Sequence, residues 1–276
     1  MEIYQGITLG IVQGLTEFLP VSSSGHLVLG QALFGYTESQ LVFSVSVHMG
    51  TLLAVLVVYS RDIGAVLRSL GVFISTLAAR KPVSGLVKTD PDLRLAGMIL
   101  FGSVPTALIG LVLKKFEHIL FSSTLLVSLM LILTGTILWL SRKYYRTEGG
   151  TDRRYGMKEA GVVGIVQGLA VIPGISRSGS TIAAGMFMGM DRSTAAKFSF
   201  LLSIPAIIGA ELVSIKELIE TGGQLNMATL YATLAAFISG FFALKLLIGM
   251  VQSGKFHLFA PYCWFVGILV FMINIL

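Results

Sequence analysis

Long apolar runs dominate the chain, covering residues 41–60, 93–113, 119–140, 194–213, 228–250 and 258–276. A helix rises 1.5 Å per residue, so each run is long enough to cross a hydrocarbon core of about 30 Å. Six spanning helices are therefore predicted. The stretch 3–34 is also apolar at its edges, but Gln13, Glu17, Pro20, Ser22, Ser23, Ser24 and His26 fall in its middle. Between His26 and Gly35 only about 12 Å of helix remains, too little for a crossing. The pattern predicts a re-entrant hairpin, in which one helix enters, the backbone breaks at Pro20, and a short helix returns to the same side. Such a break is tolerated only where it faces protein or a wet cavity. Between the first two spans, Ile63, Val66, Leu67, Leu70, Phe73, Ile74 and Leu77 recur at helical spacing beside basic residues. That predicts an amphipathic helix, either lying on an anionic leaflet or packed on the bundle.

The hairpin pattern occurs twice. GIVQGL at 10–15 returns letter for letter at 164–169, LPVSSSGH at 19–26 is answered by IPGISRSGS at 172–180, and Phe43-Ser44 by Phe198-Ser199. The predicted fold is a single all-α membrane domain over 1–276, with one repeat spanning about 1–141 and the other about 156–276, each a hairpin followed by three spans. An odd number of crossings makes the second hairpin enter from the opposite face. Inverted repeats bring two broken helices together near the bilayer midplane, where substrate and ion sites form.

Composition agrees with a lipid environment. Residues are 54% hydrophobic and 12% charged, with mean hydropathy +0.84, whereas a soluble domain is about one-quarter charged. The net charge of +6 does not read as a nucleic-acid surface, because the basic residues sit between spans without flanking aromatics. It reads as topology. Arg61 to Arg94, Arg142 to Lys158, Arg192 to Lys197 and Lys255 fall on one side, against Lys114, Lys115 and Lys216 on the other. The positive-inside rule makes the first side cytoplasmic and puts both termini outside. Lys245, near the end of its span, is expected to snorkel. His118 and His257 are expected in solvated loops at span ends. The lone Cys263 excludes an intrachain disulfide and a cysteine zinc cage. Met1-Glu2-Ile3-Tyr4 has no basic lead-in, so the N-terminus is expected to be retained.

The candidate chemistry sits at the hairpin tips. Gln13 and Glu17, spaced i, i+4, share one helix face, and a carboxylate at that depth requires a partner, a metal or a proton. Ser22, Ser23, Ser24 and Gly25 lead into one helix start; Ser176, Arg177, Ser178, Gly179, Ser180 and Thr181 lead into another. Helix N-termini are anion sites. The planar fork of Arg177 suits bidentate phosphate binding, or a salt bridge to Glu17. His26 in the same tip can act as base, acid or nucleophile, while His48 reads equally as site lining or as a core hydrogen-bonding group. Together these groups suit phosphoryl chemistry on an anionic substrate dissolved in the membrane.

At GIVQGLTEFLPVSSSGH and PGISRSGST the chain resembles the undecaprenyl pyrophosphate phosphatases, the bacitracin resistance proteins, along essentially its whole length. The resemblance implies hydrolysis of undecaprenyl pyrophosphate to the monophosphate and inorganic phosphate, recycling a carrier lipid for cell-wall synthesis in the plasma (inner) membrane, with a divalent cation, Mg²⁺ or Ca²⁺. It places catalysis at Glu17, Ser23, His26 and Arg177. Substrate contacts fall on Ser22, Ser24, Gly25, Ser176, Arg177, Ser178, Gly179 and Thr181, and metal contacts on Glu17 and Gln13. Either Ser23 or His26 is the nucleophile. Gln13 stands where related members often carry glutamate. The expected partners are the polyprenyl lipid, membrane lipids and no nucleic acid, with a homodimer as a candidate assembly. The rival reading is a lipid flippase or transporter, which shares inverted-repeat architecture.

Overall fold

A computed structural model of the chain describes residues 1–36, 41–144, 155–220 and 226–275, and the regular elements among them are all helical. In order they are α1 (Ile3–Phe18), α2 (Ser23–Leu33), α3 (Leu41–Val58), α4 (Ser60–Ala78), α5 (Ser84–Thr89), α6 (Pro91–Lys114), α7 (Glu117–Ser122), α8 (Thr124–Ser141), α9 (Met157–Leu169), α10 (Arg177–Phe187), α11 (Arg192–Glu220), α12 (Met227–Gln252) and, after a 3-10 turn at Phe256–Phe259, α13 (Ala260–Ile275). Helices alone fit a lipid solvent, because each satisfies its backbone groups internally. Among the described residues, five segments are long and apolar enough to cross a membrane: α6, α8, α11, α12 and Phe256–Ile275. A sixth is counted if α3 and α4, bent by 77° at their junction, are taken as one span. The chain is a multi-pass membrane protein.

Two boundaries differ from the expected spans. The run 119–140 is not one helix, because Ser123 accepts a hydrogen bond from the Leu126 N–H and caps α8. A capping hydroxyl starts a helix where it sits, so 119–122 fall in the separate α7, which also takes in the backbone of His118. The run 41–60 ends at Val58, where the chain turns into α4. That helix is the predicted amphipathic one. It has no fully buried residue, and Leu67, Ile74 and Leu77 are exposed. Arg146, Arg153 and Arg154, counted toward the basic side, lie outside the described residues.

Both hairpins close at their mouths. α2 doubles back along α1, so that Tyr36 Oη donates to Gln5 Oε1 at 2.6 Å and Tyr4 meets Phe34 edge-on. At the second, the Asp191 N–H donates to Tyr155 Oη at 3.0 Å, and that hydroxyl donates to Asp191 Oδ2 at 3.2 Å.

The two GIVQGL helices pack crosswise: α1 runs along α12, and α9 along α6. The shared motif explains how. A Cβ on Gly10 would fall 2.3 Å from the Ala232 carbonyl oxygen, and one on Gly164 would fall 2.1 Å from that of Gly102. Only glycine lets the backbones approach this closely, the device that small residues provide in membrane bundles.

Candidate active site

The two turns touch each other. Ser22, in the left-handed region at φ 70°, accepts a hydrogen bond through Oγ from the Gly174 N–H at 3.2 Å, and Gly174 itself lies at φ 94°. Thr134 of α8 fixes the second turn by donating to the Gly174 carbonyl at 3.0 Å and accepting from the Ser176 N–H at 3.1 Å. Ser176 caps α10 by accepting from the Gly179 N–H. A Cβ on Gly179 would stand 3.0 Å from Pro20 Cβ, so the loops are in direct contact. This contact brings the starts of α2 and α10 together.

Glu17, in the last turn of α1, is the centre of the polar cluster. Its Oε1 is salt-bridged to Arg177 Nη2. Its Oε2 accepts from Ser23 Oγ at 2.6 Å and from Gln13 Nε2 at 3.0 Å. Three side chains, from α1, α2 and the distant α10, therefore converge on one carboxylate. Gln13 is fully buried and Glu17 is 8% exposed. A buried ion pair contributes little net stability, but removing one partner costs about 3–5 kcal/mol because the other charge is stranded. The cluster is nevertheless incomplete. Arg177 Nη1 and Gln13 Oε1 are buried with no hydrogen-bond partner. A free guanidinium arm beside two helix N-termini can receive an anionic oxygen, and a free amide oxygen can receive a cation.

The other motif residues take positions around this centre. Ser24 Oγ is 3.3 Å from Ser22 Oγ, and Ser178 Oγ is 3.3 Å from Ser176 Oγ. Gly25 lies against Val127. Thr181 donates to the Arg177 carbonyl at 2.7 Å and shares a 2.5 Å hydrogen bond with Ser199. Ser180 Oγ is buried without a partner. His26 does not bond Ser23. Its Nδ1 is 2.8 Å from the Ser22 carbonyl and its Nε2 is 2.7 Å from Tyr262 Oη, the two rings lying stacked. A carbonyl only accepts, so Nδ1 carries the proton, and in the neutral ring Nε2 accepts from tyrosine.

Among the described residues no three His, Cys, Asp or Glu side chains gather as a ready metal-ligand set. Hard divalent cations do not require one, since Mg²⁺ is commonly held by one or two carboxylates together with substrate phosphates. Glu17 and the unpartnered oxygen of Gln13 fit that pattern in donor type. Tyr262 borders the site through its hydrogen bond to His26 Nε2 without belonging to either motif. It carried no sequence signal, because nothing in its local sequence distinguishes it from an interfacial tyrosine.

Comparison with known proteins agrees across nearly the full chain. Residues 6–269 match the family described as bacitracin resistance protein BacA. A protein named undecaprenyl-diphosphatase from Desulforapulum autotrophicum is 55% identical, with 98% of this chain and 97% of the relative covered. One of the same name from Desulfosudis oleivorans is 54% identical, covering 97% of each. Another, from Methanobrevibacter smithii, is 42% identical over 99% of this chain and 98% of its own.

Proposed function

The chain belongs to the bacitracin resistance protein BacA family, and from that premise we propose that it hydrolyses undecaprenyl pyrophosphate to the monophosphate and inorganic phosphate. It recycles a carrier lipid for cell-wall synthesis in the plasma membrane. The observation that carries the mechanism is the 2.6 Å hydrogen bond from Ser23 Oγ to Glu17 Oε2. A hydroxyl held on a carboxylate is an activated nucleophile.

In the proposed sequence, Arg177 and the N–H groups at the starts of α2 and α10 hold the pyrophosphate. Ser23 Oγ attacks the terminal phosphorus while its proton passes to Glu17. The bond from that phosphorus to the bridging oxygen breaks, and undecaprenyl phosphate leaves. Water then cleaves the phosphoserine, releasing phosphate and restoring the serine. Glu17 and Gln13 would hold a divalent cation, which would supply charge neutralisation for the phosphate oxygens. His26 lies beside the nucleophile, oriented by Ser22 and Tyr262.

The architecture is six spans with two re-entrant hairpins in inverted repeat, with both termini outside. The crosswise packing of α1 on α12 and α9 on α6 supports the pseudo-symmetry, because each hairpin helix meets the same member of the opposite repeat. The experiment is phosphate release from undecaprenyl pyrophosphate by purified protein in detergent. Wild type should release it, and Ser23→Ala should still bind lipid while release falls by about 10⁴-fold or more. Substantial remaining hydrolysis in Ser23→Ala would assign attack to His26. No release by wild type across divalent cations would leave the flippase reading.

A further inference from the structure

The proposed reaction moves a proton in each of its steps. In the first, the Ser23 proton passes to Glu17. In the second, water attacks the phosphoserine, and Glu17 is placed to return that proton to the departing Ser23 Oγ along the same 2.6 Å contact. A carboxyl that already carries a proton cannot take another from the water, so the second step needs a different base. Of the other groups at the two tips, the guanidinium of Arg177 only donates and the serine hydroxyls are far too weakly basic, which leaves the imidazole of His26.

His26 follows Ser23 by three residues on α2, so the two side chains are neighbours on one helix face. Its Nδ1 is committed to the Ser22 carbonyl at 2.8 Å, and the basic lone pair is on Nε2. That lone pair is already occupied by the Tyr262 hydroxyl, 2.7 Å away. A proton travelling from water to His26 must therefore pass through the tyrosine, whose oxygen still has lone-pair capacity to accept one. Two further contacts hold α13 in place for this. The Tyr262 ring stacks on His26 with centroids 5.7 Å apart, and the next residue, Cys263, donates Sγ to the Pro20 carbonyl at 3.4 Å. Pro20 and His26 stand on either side of Ser23 in the hairpin tip, so α13 is anchored to the turn that carries the nucleophile. Tyr262 is 44% exposed, whereas Gln13 and Glu17 are buried, so the pair leads outward from the closed part of the cluster.

We propose that Tyr262 is a catalytic residue of the second step, its hydroxyl taking a proton from the attacking water as it gives its own to His26 Nε2. The water oxygen bonds to phosphorus, the bond from phosphorus to Ser23 Oγ breaks, and Oγ takes the proton held by Glu17. Hydrogen phosphate leaves, and the imidazolium gives up the proton that the overall hydrolysis sets free. The inference rests on the phosphoserine proposed above.

Its test follows both products and the protein itself, by rapid quench in detergent, with undecaprenyl pyrophosphate labelled in its terminal phosphate. Tyr262→Phe removes the hydroxyl and keeps the stacked ring. It should release undecaprenyl phosphate at the wild-type rate in the first turnover and then stall with label on Ser23, while phosphate release falls roughly a hundredfold, the scale of losing a positioned proton-transfer group. His26→Gln should also trap the label, and adding Tyr262→Phe to it should cost little more, since residues acting as a unit are not additive. Tyr231→Phe, a similarly exposed tyrosine on α12, should behave as wild type. A merely structural Tyr262 predicts that both products slow together with no label on the protein; that result, or wild-type rates, overturns the assignment and leaves Ser23 as nucleophile. Should Tyr262→Phe not fold, absence of trapped label in folded His26→Gln overturns it instead. No label in any variant, with Ser23→Ala hydrolysing like wild type, overturns the phosphoserine and this inference together.

Discussion

The two hairpins share a motif and differ in what they do with it. In each, GIVQGL builds a helix whose glycine lies against the backbone of another helix, at Ala232 for Gly10 and at Gly102 for Gly164. In each, a glutamine follows that glycine by three residues, yet Gln13 donates to Glu17 while Gln167 donates to the Leu202 carbonyl. One turn later the sequences part. Glu17 of the first hairpin corresponds to Val171 of the second, and Ser23 corresponds to Arg177. The first tip thus holds the carboxylate and hydroxyl, and the second holds the guanidinium that pairs with that carboxylate. Repetition provides the shell in which two helix starts meet, and divergence at a few positions makes the halves chemically complementary.

Their backbone anchoring differs too. Thr134, Ser176 and Ser199 hold the second tip through hydrogen bonds. The first depends on Ser22, a non-glycine residue in the left-handed region, which costs roughly 1–2 kcal/mol.

The strongest way to break the comparison is at the cross-hairpin pair. Arg177→Lys keeps the charge but loses the planar fork that reaches Glu17 and leaves an arm for phosphate. A charge-assisted hydrogen bond left half-satisfied costs about 1.5–3 kcal/mol, so phosphate release should fall roughly ten- to a hundredfold. Near-normal turnover in the folded variant would make Arg177 a structural tie alone. A smaller effect is expected at the shared shell. Gly10→Ala and Gly164→Ala should each lower unfolding stability by about 1–3 kcal/mol through overpacking, whereas Gly209→Ala, which faces open space, should be neutral or slightly stabilising. Unequal losses at the two motif positions, measured by thermal unfolding in detergent, would show that the two halves do not share one packing solution.

The smallest effect concerns the mouths. Burial pushes the Asp191 carboxyl up, but the Thr194 side chain and backbone, Tyr155 and its own backbone outweigh burial and hold it below its ordinary 3.8. A lowered folded pKa means the contribution is complete above the unfolded value and is lost as pH falls through the folded one. Hydrogen exchange near Tyr155 and Asp191 should therefore rise on acidification below about pH 3.8. The Gln5–Tyr36 mouth is closed by an amide and a phenol in place of a carboxylate, so it should respond less. Asp191→Asn should abolish the difference.

Much of this was written along the chain. Apolar runs, a polar interruption around Pro20 and a duplicated motif are local patterns, and they point to spans, breaks and repeats because lipid penalises any unsatisfied backbone or unpaired charge. The same penalty made Glu17 and Arg177 conspicuous. The breaks after Val58 and at Ser123 were harder to read, because a capping hydroxyl or a change of direction needs only one or two residues inside an otherwise uniform run. Sequence determined which side chains must find partners. Tertiary structure decided which partners they find: Ser23 meets Glu17 and not His26, Tyr262 meets His26 from the far end of the chain, and Phe200 of α11 packs on Tyr59 beyond the end of α3. A charge in an apolar run announces that compensation exists, but hydrogen bonds are short and directional, so only the packed helices determine which atoms come within reach.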